Sequence, residues 1–186
     1  MDFQTFFKLI EDKLAIGQST GTNHSEAFLN YSKMNLSRMK RWMKTTELHP
    51  ELMECIKAVN KEQHWIVITE GWCGDSAHSL PFIFKLSEQN PKIHLDIILR
   101  DENLELMDQY LTNGGRSIPK LIVRDSDGND LFEWGPRPKP IQDYVQKAKA
   151  EGIDYQDYGK VVQQMYNEDR GVTIQKEFCE LLSVSA

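Results

Sequence analysis

The residue in this chain best placed for chemistry is Cys73, in the segment Gly71-Trp72-Cys73-Gly74-Asp75-Ser76. It follows the apolar, β-branched run Trp65-Ile66-Val67-Ile68 and opens a stretch of helical character at about 76–88. A thiol at such a junction faces the free N–H groups and the positive dipole end of the helix. Both favour thiolate over thiol and pull the pKa down, a pull that a nearby Asp75 would oppose, so the net sign stays open at the level of sequence. Thiolate is the nucleophile of disulfide exchange, which makes Cys73 the candidate catalytic residue. Gly74 leaves room for a substrate backbone to approach. Trp72 lies beside the thiol, as packing or as a substrate contact.

Neighbouring side chains tune such a thiol. The Ser76 hydroxyl can donate a hydrogen bond to the Cys73 sulfur. Asp75 opposes ionisation if it lies close to the sulfur, or else it caps the helix. His78, one turn after Asp75, reads either as an acid–base group or as a solvated helix histidine. Arg116 reads either as a partner for an anionic small thiol or as a surface charge beside Gly114-Gly115. Ser117-Ile118-Pro119 stands directly before a later strand, where proline often marks a tight, sometimes cis, turn. A cis Ile118–Pro119 bond leaves the Ile118 backbone open to an extended substrate.

With serine at 76, Cys73 has no second thiol three residues on. A lone thiolate attacks a disulfide and forms a mixed disulfide, which only an external thiol such as glutathione can then release. Cys55 and Cys179 are the other two cysteines. Cys55 shares an apolar helix face with Leu52, Ile56 and Val59. Cys179 stands beside the Ile174, Phe178, Leu181 stripe. Both read as small buried apolar residues. A disulfide from Cys73 to either would overturn the one-thiol reading.

The elements around Cys73 follow from periodicity and turn residues. Residues 3–15 have Phe3, Phe6, Phe7, Ile10 and Leu14 at helical spacing. A second helix spans roughly 25–46, and a short one follows His49-Pro50. Strands are expected at 65–68, 93–99, 120–123 and 130–134. A helix around 102–112 is expected to end at Asn113-Gly114-Gly115. Asp125-Ser126-Asp127-Gly128 reads as a hairpin turn. Helices near 139–150, 155–168 and 171–183 complete the chain. The order over 64–150 is β-α-β-α-β-β-α: an α/β fold with a mixed four-stranded sheet and helices on both faces. Residues 1–62 form a helical N-terminal extension packed on the domain, 63–150 the core, and 151–186 a helical tail.

Bulk properties narrow the partners. The 186 residues carry a net charge of −6, with 40% hydrophobic and 27% charged residues. These values suit one globular domain with extensions. Negative charge without a basic cluster excludes nucleic acid and anionic membrane as main partners. No apolar run is long enough to span a bilayer, and no signal peptide opens the chain. Three widely spaced cysteines point to free thiols in a reducing cytoplasm. His24, His49, His64 and His94 lack metal-ligand spacing, so no metal is expected. The apolar stripe of the first helix reads as core or as an interface for a homodimer through the N-terminal helices.

Trp72-Cys73-Gly74-Asp75 after an apolar strand, with Ile118-Pro119 before a hairpin, resembles the thioredoxin superfamily. Three segments resemble, more narrowly, a poorly characterised bacterial thioredoxin-like group. They are Glu70 to Asp75, Leu99-Arg100-Asp101-Glu102-Asn103, and Asn113 to Lys120. The likeness covers about residues 60–184. It implies a thioredoxin fold, a thiol at Cys73, a cis proline at Pro119 and no cofactor beyond an external thiol. Two positions depart from a dithiol thioredoxin. Serine stands at 76 in place of the resolving cysteine, and valine at 67 in place of a buried acid. The leading expectation is therefore a monothiol oxidoreductase acting on protein or small-molecule disulfides. The alternatives are a binding or adaptor module without turnover and, through the Cys-Gly-X-Ser spacing, an iron–sulfur carrier.

Overall fold

The computed structural model describes residues 1–185. Three helices precede the sheet: α1 (Phe3–Ala15), α2 (Glu26–Thr45) and α3 (Pro50–Ala58). Asp2 caps α1, its carboxylate accepting from the Thr5 N–H at 2.7 Å. Phe3, Phe6 and Ile10 form the buried face of α1, as their spacing requires. Pro50 opens α3 at a position where a missing N–H costs nothing.

The sheet contains β1 (Gln63–Thr69), β2 (Ile93–Leu99), β3 (Lys120–Asp125) and β4 (Asp130–Trp134), in the order β2-β1-β3-β4. β1 and β2 are parallel and joined through α4 (Gly74–Ser87). β3 runs antiparallel to β1, and β4 antiparallel to β3. The mixed four-stranded α/β sheet is the one the element order implied. Trp65, Val67 and Ile68 of central β1 are wholly buried, as an apolar strand covered on both faces must be. After one turn of helix, α5 (Leu104–Met107), come α6 (Lys139–Ala150), α7 (Tyr155–Asp169) and α8 (Val172–Ser185).

One core joins the extension, the sheet and the tail, through Phe3, Trp42, Leu52, Trp65, Phe82 and Phe178 among others. A second cluster packs α7 on α6 through Val145, Tyr158 and Val162.

Two expectations fail. The helix around 102–112 shrinks to a 3-10 turn at Arg100–Glu102 and the single turn α5. Asn113 and Gly114 do not cap it. Both have positive φ, 51° and 75°, and Thr112 and Gly115 exchange backbone hydrogen bonds across them. Asn-Gly is the preferred pair for that tight reversal. The second failure concerns the cysteines. Cys55 and Cys179 are not free thiols; they are bonded to each other, with Cα atoms 5.5 Å apart. Their separation of 124 residues hid the pair, because α3 and α8 pack side by side. Cys73 is the free cysteine among the described residues. Among those residues no helix is long and apolar enough to cross a membrane, and no group of three or more His, Cys, Asp or Glu is placed to hold a metal ion.

Candidate functional site

Cys73 is the N-cap residue of α4, held there by a turn in which its N–H donates to Glu70 O at 3.1 Å. The turn is clamped from the N-terminal extension. Thr20 Oγ1 accepts from Gly71 N–H at 2.8 Å, and Asn35 donates to Gly71 O at 3.0 Å. Across the gap, the Cys73 thiol donates to Ile118 O at 3.2 Å. The Ile118–Pro119 peptide is cis, so the two segments singled out in the sequence meet at this thiol. Thr69 Oγ1 donates to Ser76 Oγ at 2.6 Å, leaving the Ser76 hydroxyl hydrogen free for the sulfur.

The electrostatics decide between the opposing influences on the thiol. The Cys73 pKa does not fall; it is pushed up to about 11. Burial is the main cause, the residue being 7% exposed, and the negative charge of Asp75 is the second. The Ser76 hydroxyl and N–H and the Arg137 cation act in the opposite direction and are outweighed. Near neutral pH the group at the head of α4 is a thiol.

Asp75 caps nothing. Arg137 holds its carboxylate with two contacts, Nε to Oδ1 at 3.0 Å and Nη2 to Oδ2 at 2.7 Å. Tyr166 donates to Oδ1 at 2.9 Å. Burial raises the Asp75 pKa, while Arg137 and then Tyr166 act to lower it. His78 is neither a solvated residue nor an acid–base group at the thiol. It is 2% exposed, stacked on Tyr166 with ring centroids 4.3 Å apart. Its Nδ1 accepts from Trp42 Nε1 at 2.9 Å, so Nε2 carries the hydrogen that faces Gln163 Oε1 at 2.8 Å. Burial pushes its pKa down to about 4. The apolar surroundings of α2 and α7 explain the difference: a charged imidazole has no water there.

The thiol lies in a cleft of about 430 Å³. Trp72 lies between Phe28 of α2, at 5.1 Å between ring centroids, and the Arg100 guanidinium, 4.9 Å from its ring. Arg100 also pairs with Asp101 at 2.8 Å. Arg116 lines the cleft but gives both its guanidinium contacts to Asp108, at 2.6 and 2.8 Å. Gly74 opens toward the extensions, where an added Cβ would stand 3.6 Å from Gln163 and 3.8 Å from Arg38, ordinary contact distances. Crowding therefore does not demand glycine at 74.

Several residues of the cleft were missed in the sequence. Arg137 lies in the Gly135-Pro136-Arg137-Pro138 segment that follows β4, with no sequence pattern pointing it at the thiol. Its position between Pro136 and Pro138, on rigid backbone, was the signal available. Tyr31 of α2 and Tyr155 of α7 wall the cleft from the two extensions, and no local pattern marks them. Glu70 was quoted but given no role. It is 1% exposed, its Oε1 accepts from Asp101 N–H at 3.0 Å, and burial raises its pKa.

Comparison with known proteins agrees with this fold. A protein of unknown function, PA1234 from Pseudomonas aeruginosa, has the same fold at a TM-score of 0.64 and 17% identity, covering 100% of this chain and 99% of that one. An HIV 4E10 epitope scaffold matches at a TM-score of 0.59 and 17% identity, covering 99% and 97%. No curated protein matches. A family model described as thioredoxin matches residues 21–149, which takes in α2, α3 and the whole sheet. That is most of the chain, and the protein belongs to this thioredoxin family.

Proposed function

We propose that this protein is a monothiol oxidoreductase in which Cys73 exchanges with a disulfide and an external thiol completes the cycle. The observation that carries the reading is the placement of the Cys73 sulfur. It heads α4 on the floor of a cleft and faces the Ile118 carbonyl beside Pro119. Cys73 attacks one sulfur of the substrate disulfide; that S–S bond breaks and the other half leaves as a thiolate. The mixed disulfide then waits for a small thiol such as glutathione. This thiol attacks the substrate sulfur and returns Cys73 to its reduced state. Ser76 supports the thiolate through its hydroxyl and N–H, and cannot resolve the intermediate. Trp72, Gly74, Ile118 and Pro119 are the surface offered to the substrate.

The buried thiol also fits a second reading, a binding module without turnover. With a pKa of about 11, Cys73 has a thiolate fraction of about 10⁻⁴ at pH 7, against about 10⁻² at its ordinary value of 9.0. Docking of a partner would then have to displace the Ile118 contact before any exchange. The two readings separate in one assay. Reduction of a glutathione mixed disulfide is followed for the wild type and for Cys73→Ser. Turnover that disappears in the variant supports the oxidoreductase; equal rates refute it.

A further inference from the structure

We propose that Cys55–Cys179 is a second redox centre, and that its disulfide clasps the two extensions which wall the Cys73 cleft. The bond joins α3, in the N-terminal extension, to α8, in the C-terminal tail, with Cα atoms 5.5 Å apart, well inside the bridging range. Both cysteines are half-buried, whereas Cys73 is buried. A small thiol therefore has readier access to this pair than to Cys73.

The clasp has a second component one helical turn away. Gln175, four residues before Cys179 on α8, accepts from His49 N–H at 2.7 Å and donates to Glu47 O at 3.2 Å. These bonds hold the α2–α3 connection against α8. Each clasped extension also reaches the cleft. α2 supplies Phe28 and Tyr31, and α7, which runs into α8, supplies Tyr155. α2 and α7 touch directly through Arg41 and Asn167 at 2.8 Å. α7 contacts the motif helix through Tyr166 on Asp75 and Gln163 on His78. The same two extensions thus carry the disulfide at one end and the walls of the thiol site at the other.

The exchange balances with small thiols alone. A thiolate RS⁻ attacks one sulfur of the bond; the S–S bond breaks, and the other cysteine leaves as a thiolate and takes up a proton. A second RS⁻ displaces the first, giving RSSR and two cysteine thiols, a two-electron reduction. A small-molecule disulfide drives the reverse reaction. With the bond open, the extensions are held by packing and hydrogen bonds only, and local opening at the cleft becomes easier.

The test uses the full chain in glutathione buffers of stepped reduced-to-oxidised ratio. Iodoacetamide quenches each sample, and mass spectrometry reads each cysteine separately. Cys55 and Cys179 are expected to pass together from bridged to alkylated as the ratio rises. The Cys73 alkylation rate at fixed pH is expected to rise about tenfold or more in the opened protein. A Cys55→Ser, Cys179→Ser double variant should show the fast Cys73 rate in every buffer. The reduced wild type decides the matter where that variant does not fold. Independent alkylation of Cys55 and Cys179 in oxidised protein overturns the proposal. So does a Cys73 rate that is the same with the bond closed and open. The readout is modification rather than turnover, so it stands whether or not Cys73 proves catalytic.

Discussion

Replacing Asp75 by Asn should activate Cys73. The thiol pKa of about 11 lies two units above its ordinary value of 9.0, which is about 2.7 kcal/mol against the thiolate. Burial supplies the largest part and Asp75 the next. Asn keeps the size of Asp75 and an oxygen for the Tyr166 hydroxyl, so the packing survives. It removes the negative charge beside the sulfur and leaves the Arg137 cation without its carboxylate. Both changes favour thiolate. The pKa falls from about 11 toward the ordinary 9.0, and the thiolate fraction at pH 8 rises with it. The assay is the pH profile of Cys73 alkylation, read by mass spectrometry for wild type and Asp75→Asn. The wild-type midpoint is expected near 11. A variant midpoint equal to or above that of the wild type would refute the assigned role of Asp75. The same shift has a sign in stability. A thiol raised in the folded state stabilises the fold below its unfolded pKa, and the effect is lost as pH rises through about 11. Wild type should therefore lose stability relative to Cys73→Ala between about pH 9 and 11.

Two further outcomes follow from His78 and Gly135. The His78 pKa is pushed from 6.5 down to about 4, so the unfolded chain binds the proton first as pH falls. His78→Gln, which can still face Trp42 and Gln163, should be less sensitive to acid. Unfolding free energies from urea titrations at pH 7 and pH 4.5 should differ by about 2–3 kcal/mol less than in wild type, and an unchanged difference would remove His78 from the acid response. Gly135→Ala should destabilise the cis-proline side of the site by more than about 2 kcal/mol, measured by thermal unfolding. Gly135 has a φ of 118°, and a Cβ there would overlap the Pro119 carbonyl oxygen. A neutral effect would contradict that close approach.

The sheet was legible because its signals are local. Trp65 to Ile68 is a short, β-branched apolar run between polar residues and turn signals, the pattern of a strand covered on both faces. Gly128 closes the β3–β4 turn with a φ of 85°, as the Asp-Ser-Asp-Gly segment implied. Cys73 and Pro119 were legible as neighbours because each stands at the end of such a strand. What stayed hidden depends on contacts between distant segments. Asp75 meets Arg137 and Tyr166 across 62 and 91 residues, and Cys55 meets Cys179 across 124. The Asn113-Gly114 error was different in kind. The pair suits both a helix end and a tight reversal, and the reciprocal bonds of Thr112 and Gly115 decided for the reversal.

The departures at 67 and 76 acquire a physical meaning beside the raised thiol. A buried acid at 67 would serve to move protons for a second cysteine, and Val67 instead fills the core between Ile97 and Leu121. The acids that remain near the motif are set elsewhere: Asp75 is bound to Arg137, and Glu70 to the Asp101 N–H. Asp75 is thereby committed away from the thiol proton, while Glu70 keeps its Oε2 buried without a hydrogen-bond partner. Proton loss from Cys73 has to break the bond to Ile118 O, the contact a docking ligand would displace. A resting thiol of this kind resists adventitious oxidation, because the thiolate is the oxidisable form. The motif therefore suits a site that stays silent until its cleft is occupied. Burial does most to keep the thiol protonated and Asp75 adds to it, and Asp75 is the part that one isosteric substitution removes, which is why its replacement is the sharpest test of the arrangement.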